Sequence, residues 1–153
     1  TFLRQIKGRV MIIAAKPKVL VVDDEERFRV TLGKLLGARG LEVRTVGSGR
    51  EALQELDSDG YDVILLDVKM PEMSGVEALA AIKKTHPNLE VIILTGHASV
   101  DVAVDIMRLG GYEYLLKPCP LEELLDKIET AYERKVAREA RARGVAQPPE
   151  GPS

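Results

Sequence analysis

Tyr61-Asp62-Val63-Ile64-Leu65-Leu66-Asp67-Val68-Lys69-Met70-Pro71-Glu72-Met73-Ser74-Gly75 is the stretch on which the fold turns. The unbroken apolar run Val63 to Leu66 fits a strand buried on both faces, as strands inside parallel sheets are. It ends in a carboxylate, Asp67, and the chain then breaks at Pro71 and Gly75. Open α/β sheets keep their chemistry at the carboxyl ends of their strands, so Asp67 stands where a functional acid belongs. A second run of the same kind, Lys18-Val19-Leu20-Val21-Val22, ends in Asp23-Asp24. If the two strands are neighbours, three carboxylates share one crevice, and their repulsion calls for a cation or for protons.

Outward from these strands the pattern alternates. Val19 to Asp23 precedes a helix from Glu25 to Arg39, with Phe28, Leu32, Leu35 and Leu36 apolar at helical spacing and Gly40 as its stop. Leu41 to Val46 is a strand. Ser48 then caps a helix with Glu51 three residues on, a capping-box spacing, and Ala52, Leu53 and Leu56 form its inner face up to Asp59-Gly60. After the strand Asp62 to Leu66, Val76, Leu79, Ala80 and Ile82 trace a helix that stops before Pro87. Leu89 to Thr95 is the fourth strand, followed by a helix from Ser99 through Val102, Ala103, Ile106 and Met107 to Gly110-Gly111. Tyr112 to Leu116 is the fifth strand, and Pro120 opens the last helix at its first helical position. Five strands alternating with five helices through short loops predict an α/β fold in three layers, a parallel sheet covered on both faces.

The chain has 153 residues, 45% of them hydrophobic, which suits one domain with tails. A net charge of −2 provides no broad basic field, so nucleic-acid binding by this chain alone is not expected. The single cysteine, Cys119, permits no intrachain disulfide and fits a reducing cytoplasm. Residues 1–16 read as an N-terminal extension, with Met11 as a candidate natural start. Within it Arg4, Lys7 and Arg9 precede the apolar run Val10 to Ala15, which is too short for a secretory signal, and nothing is long enough to span a membrane. In the last helix Leu121, Leu124, Leu125, Ile128, Ala131 and Tyr132 pack inward, whereas Glu133 to Arg143 is charged and Gln147 to Ser153 reads as disordered. Residues 135–153 are thus a helix extension and tail, or a linker toward an output domain.

Four of the five strands deliver a polar group at the carboxyl edge: Asp23-Asp24, Asp67, Thr95 and Lys117. Any one of them reads equally well as a cap or turn residue. Together they are a nucleophile or ligand, a cation site, a hydroxyl donor and a fixed positive charge. Phosphoryl transfer needs those parts, because the charge spread over the phosphoryl oxygens is stabilised by metal, ammonium and hydrogen-bond donors.

On these residues the chain resembles the receiver domain of bacterial two-component response regulators, over residues 17–134. The resemblance implies a flavodoxin-like, doubly wound (βα)5 sheet of order 2-1-3-4-5, with the Asp23 and Asp67 strands adjacent. It makes Asp67 the phosphoacceptor, taking a phosphoryl group from a sensor histidine kinase or a phosphotransfer protein. Mg²⁺ would be held directly by Asp24 and Asp67, through water by Asp23, and by the backbone carbonyl of Lys69. Thr95 would hydrogen-bond the phosphoryl group, with Gly96 leaving room beside it. Lys117 would pair with the Asp67 carboxylate and then the phosphate, ahead of a cis Pro118. Tyr114 matches the switch aromatic that turns inward as Thr95 moves, while Tyr112 belongs to packing. Phosphorylation adds about −1.5 to −2 charge, which would bias the face made by the fourth helix, fifth strand and fifth helix toward an output domain, a partner or a homodimer. The implied protein is a cytoplasmic switch whose only catalysis is its own phosphorylation and dephosphorylation.

Several positions stand apart from the family pattern. Gly111 occupies a site where alanine is more usual; tolerance without effect is the expectation, and a looser link between the fourth helix and fifth strand through added backbone freedom is the alternative. Lys69 and His97, each two residues past Asp67 and Thr95, lie where the family tunes phosphoryl lifetime. Cys119, between two prolines, reads as a small filler, with a redox role as the alternative. Thr95-Gly96-His97-Ala98 and Tyr112-Glu113-Tyr114-Leu115 are similar to receivers of the nitrogen-regulator type, which precede an ATPase and a DNA-binding domain; a stand-alone receiver is the competing reading. Two other classes were weighed. A phosphatase of the haloacid-dehalogenase type wants two aspartates separated by one residue on its first strand, and here Asp23 and Asp24 are adjacent. A flavin or nucleotide module wants a donor-rich first loop, and Asp23-Asp24-Glu25-Glu26 would repel its phosphate.

Overall fold

The computed structural model describes residues 2–6, 9–13 and 16–144, with side chains from residue 16 onward. The chain opens with an antiparallel pair, β1 (Phe2–Ile6) and β2 (Arg9–Ile13), in register Phe2 with Ile13. The extension foreseen for residues 1–16 therefore carries a hairpin, which the sequence reading had not foreseen. The predicted disorder of Gln147 to Ser153 lies outside the described residues.

The main domain alternates as expected: β3 (Lys18–Val22), α1 (Glu26–Ala38), β4 (Glu42–Val46), α2 (Gly49–Ser58), β5 (Val63–Leu66), α3 (Gly75–Thr85), β6 (Glu90–Thr95), α4 (Val100–Arg108), β7 (Glu113–Leu116) and α5 (Leu121–Ala142). The five-stranded sheet is parallel throughout, in the order β4-β3-β5-β6-β7. Numbered within the sheet, that is the order 2-1-3-4-5. β3, β5 and β6 lie inside it, and every residue of Val19 to Val22 and of β5 and β6 is buried. Each fully buried Leu or Ile contributes roughly 1.5–3 kcal/mol, so these strands form a stiff base for whatever follows them.

Two apolar layers flank the sheet. One gathers α1 and α5 around Val19, Val21, Leu36, Leu65 and Ile128; the other gathers α2, α3 and α4 around Leu20, Leu56, Ile64, Leu79 and Ile106. Several inward assignments shift. Leu35 is 46% exposed, because Leu32 and Leu36 keep the sheet-facing stripe of α1 and Leu35 falls beside it. In α3 Ala78 is buried while Ala80 faces solvent, and in α4 only Ile106 is buried while Met107 is 51% exposed. Ser48 accepts from Glu51 N at 3.1 Å, yet the return bond of Glu51 goes to Gly47 N; the complete capping box is at Ser74 and Glu77. Pro120 occupies the N-cap of α5 rather than its first turn.

The charged half of α5 is held to the sheet by ions. Lys135 pairs with Asp62 at 3.1 Å and with Glu139 at 2.8 Å, and Arg138 pairs at 2.8 Å with Glu90, which is 2% exposed at its side chain. Lys83, beside this cluster, donates to Leu89 O at 2.7 Å, and burial lowers its pKa from the ordinary lysine value.

Gly75 is required by contact. A Cβ there would lie 2.3 Å from the carbonyl oxygen of Asp67 and 2.7 Å from Val68 Cα, both backbone atoms that cannot give way. Gly111 is a milder case, where a Cβ would stand 2.6 Å from Ile106 Cγ2. Its glycine is thus tied to packing under α4. Gly75→Ala is expected to destabilise the domain by about 2 kcal/mol or more, read as a lowered urea midpoint at constant slope; an unmoved midpoint would contradict this close approach.

Candidate functional site

The ladder runs one residue past each strand, and that is what delivers the polar groups. Asp23 N donates to Val46 O at 3.2 Å, Asp67 N to Val22 O at 3.0 Å and Lys117 N to Thr95 O at 2.8 Å. Asp23, Asp67, Thr95 and Lys117 therefore leave the same edge of adjacent strands, with their backbones still fixed by the sheet. Carboxylate oxygens of Asp23, Asp24 and Asp67 all lie within 4.8 Å of one another. Asp23 and Asp67 are buried and Asp24 is exposed, so the group is closed below and open to one side. The opening is a cavity of about 450 Å³ that also touches Lys69, Gly96, His97 and Lys117.

Lys117 supplies the compensating charge. Its Nζ donates to Asp23 Oδ2 at 2.6 Å and stands 3.8 Å from Asp67 Oδ2. Lys117 thus reaches both Asp67 and Asp23; Asp23 is the nearer partner, and it also accepts from Glu25 N at 2.9 Å. Asp67 is left with a buried oxygen, Oδ1, that has no hydrogen-bond partner among the described residues. A buried carboxylate oxygen without a donor is costly. Three clustered carboxylates, two of them beside one ammonium and one with an unpartnered buried oxygen, form a hard oxygen donor set suited to a small divalent cation.

Two contacts from α1 had no signal in the sequence. Arg29 Nη1 donates to the carbonyls of Asp23 at 3.2 Å and Asp24 at 3.4 Å, pinning the acidic loop onto the helix. The Phe28 ring lies under Lys117, with Nζ 3.8 Å from its centroid. Helical spacing marks Phe28 as a core residue, which is true of its packing, and says nothing of a cation on its face.

Across the cavity the loop after Asp67 turns tightly: Met73 N donates to Pro71 O at 2.8 Å around Glu72, whose φ is +68°. That is a γ-turn with a non-glycine residue in the left-handed region, a strained conformation of the kind that collects at functional sites. On the other side, Thr95 is fully buried and its Oγ1 accepts from His97 N at 3.3 Å, while the Tyr114 hydroxyl donates to His97 O at 2.6 Å. Thr95 and Tyr114 are thereby joined through one residue's backbone. A Cβ at Gly96 would meet no atom within 4 Å, so any limit on size there comes from what enters the cavity.

The family model of the response regulator receiver domain matches residues 19–129. The chain belongs to the response regulator receiver family. Among curated relatives, this receiver is 36% identical over 111 residues to the luminescence regulatory protein LuxO of Vibrio campbellii, covering 72% of this chain and 24% of that protein. It is 41% identical over 113 residues to the DNA-binding transcriptional regulator NtrC of Escherichia coli, covering 74% of this chain and 24% of that one. The chain thus spans about a quarter of the length of these relatives. Among solved structures, a response regulator receiver domain protein from Clostridium thermocellum superposes with a TM-score of 0.76 at 40% identity, covering 80% of this chain and 98% of that one. A receiver of the nitrogen-regulator type is in keeping with these likenesses, and the phosphatase and flavin-module alternatives fall away.

The receiver fold brings Asp23, Asp24, Asp67 and Lys117 into contact distance and sets Lys69 and His97 on the rim of the same cavity. The Lys117-Pro118 bond is cis. The Cys119 thiol has its pKa raised by burial, which depletes the thiolate an oxidant would attack and favours the filler reading. Among the described residues no helix is long and apolar enough to cross a membrane. Tyr114→Phe should free the loop after β6: we expect a loss of about 0.5–1.5 kcal/mol by urea unfolding and faster amide exchange at His97 to Ser99. Unchanged exchange would dissociate Tyr114 from that loop.

Proposed function

We propose that this chain is a phosphorylation switch that accepts a phosphoryl group on Asp67 from the phosphohistidine of a sensor histidine kinase or phosphotransfer protein. The observation that carries this reading is Asp67 Oδ1, buried and without a hydrogen-bond partner among the described residues, on a carboxylate that clusters with Asp23 and Asp24 and lines one cavity with Asp24 and Lys117. A carboxylate oxygen of Asp67 attacks phosphorus, the new P–O bond replacing the P–N bond, and the imidazole leaves with the electron pair and takes up a proton. The product is an acyl phosphate on Asp67. Asp24, Asp67 and the Lys69 carbonyl would hold Mg²⁺, with Asp23 acting through water, and the ion would supply positive charge for the phosphoryl oxygens of an anionic donor.

The chain's own groups do the rest. Lys117 stands close enough to Asp67 to exchange Asp23 for a phosphoryl oxygen with a small swing of its ammonium. Thr95 gives up the His97 N–H to donate to the phosphoryl group, and because Tyr114 holds the carbonyl of the same residue, that exchange reaches β7. Water attacking the acyl phosphate reverses the state, so phosphorylation and dephosphorylation are both catalysed by the receiver itself. The face that responds, α4, β7 and α5, exposes Val100, Val104, Met107 and Leu116, apolar groups fit for a homodimer or an output domain. We assign the receiver to residues 17–134, the extension to 1–16, and the helix end and linker to 135–153, in a cytoplasmic protein whose output lies outside this chain; this chain by itself contacts neither nucleic acid nor membrane.

Incubation with acetyl phosphate and Mg²⁺ should place one acid-stable, base-labile phosphoryl group on the wild type, detected by intact mass, and none on Asp67→Ala. Chelation of Mg²⁺ should suppress it, and beryllofluoride should reproduce the shift of the Tyr114 resonances. Labelling retained in Asp67→Ala would move the acceptor elsewhere.

A further inference from the structure

We infer that Phe28 is a positioning residue for phosphoryl transfer, its ring face forming the wall that holds the Lys117 ammonium over the acidic cavity. The inference rests on the reading of Asp67 as acceptor and names a residue that the reading does not require. Lys117 Nζ stands 2.6 Å from Asp23 Oδ2, 3.8 Å from Asp67 Oδ2 and 3.8 Å from the centroid of the Phe28 ring. The first two are carboxylates on the cavity side. The third comes from the first turn of α1, and it sits where the ammonium would otherwise retreat toward the apolar groove between α1 and the start of α5, which Phe28 and Lys117 both line with Leu35 and Cys119.

The choice of a ring for that wall has a physical reason. The negative face of an aromatic ring attracts a cation within about 6 Å of its centroid, more strongly where water is excluded. Unlike a third carboxylate, the ring adds no charge to a cluster already overfull of negative charge. It also imposes no single hydrogen-bond direction, so the ammonium can pass from Asp23 toward a phosphoryl oxygen on Asp67 while the same face stays beneath it. An aliphatic side chain of similar volume would fill the space and leave the ammonium held by the two carboxylates alone. Phe28 is itself anchored, packed against the core layer that contains Leu32, Leu94 and Leu124, so the wall does not move with the cation.

The test separates ring electronics from packing. Phe28→Leu, Phe28→Tyr and Phe28→Trp are compared with mono-, tri- and pentafluorophenylalanine at position 28, which weaken the negative face stepwise at nearly constant shape. With acetyl phosphate and Mg²⁺, the rate of labelling should be kept in Phe28→Tyr and Phe28→Trp, and should fall in order of fluorination to about three- to tenfold below wild type in Phe28→Leu and the pentafluoro ring. Metal-free urea midpoints of the fluorinated series should follow the same order with Lys117 present and become flat in Lys117→Met. A flat labelling series in a protein whose wild type labels and whose Asp67→Ala variant does not would overturn the inference and leave the acceptor reading standing. Labelling retained in Asp67→Ala would overturn the acceptor reading, and the urea series would then decide whether the ring holds the ammonium at all. If Phe28→Leu fails to fold, the fluorinated series carries the decision.

Discussion

The ion contact between Lys117 and Asp23 is the constraint on which the rest of this molecule depends. Three carboxylates within 4.8 Å of one another repel by about 3.5 kcal/mol per pair at an effective dielectric of about 20. One ammonium at 2.6 Å from Asp23 and 3.8 Å from Asp67 offsets part of that repulsion. Such a cluster persists only on a frame that cannot spread. The frame is the pair of buried strands β3 and β5, whose ladder carries through Asp23 N and Asp67 N and fixes both backbones before either side chain begins. The residual negative charge makes the site bind cations, and it also means that adding a phosphoryl group must draw positive charge and donors inward.

That inward pull has a short route through the structure. Thr95 and Tyr114 never need to touch, because each is bonded to His97, one to its N–H and the other to its carbonyl. The two bonds engage successive peptide units on either side of the His97 Cα, so a change at one reaches the other through a single residue's backbone. β6 and β7 are paired in register Ile93 with Tyr114, so the tyrosine stands beside the strand whose end carries Thr95. That route needs no long chain of side chains.

The parts of this design that a sequence displays are those written in contiguous residues. Val19 to Val22 and Val63 to Leu66 are legible as buried parallel strands because nothing polar interrupts them, and the acids that follow are legible because strand ends point to one edge. Which carboxylate Lys117 prefers is not legible, since Asp23 and Asp67 are equivalent acids until the backbone places one at 2.6 Å. Phe28 was visible as an apolar helix residue and its second face was not, because a cation–ring contact between positions 28 and 117 leaves no periodicity. The same holds for Arg29, and for Lys135 and Arg138, whose partners Asp62 and Glu90 lie far away in the chain. The misassigned Ala80 and Met107 have a different cause: an apolar stripe three residues wide covers more of a helix than the sheet can bury, and only packing decides which edge is left out.

These contacts also decide which part of the responsive face can move. α5 buries Leu124, Leu125, Ile128, Glu129 and Ala131 against the sheet, and its far half is tied through Arg138 to the buried Glu90. Glu90 is buried while Arg138 is partly open to water, so losing Arg138 would leave a buried carboxylate short of a partner, at a cost of about 1–3 kcal/mol. Turning a two-state equilibrium from 1:99 to 99:1 takes about 5.5 kcal/mol in all, so a switch that also broke this anchor would consume a sizeable share of that. Among the described residues α4 has no comparable ion pair: Ile106 is its one buried residue, and the loop before it is held by the Tyr114 hydroxyl through the carbonyl of His97, whose N–H donates to Thr95. Under the proposed function the cheap rearrangement is therefore a shift of α4 and of the Tyr114 side chain against a stationary α5, and a partner or output segment would read the difference between a lightly anchored apolar helix and a firmly anchored charged one.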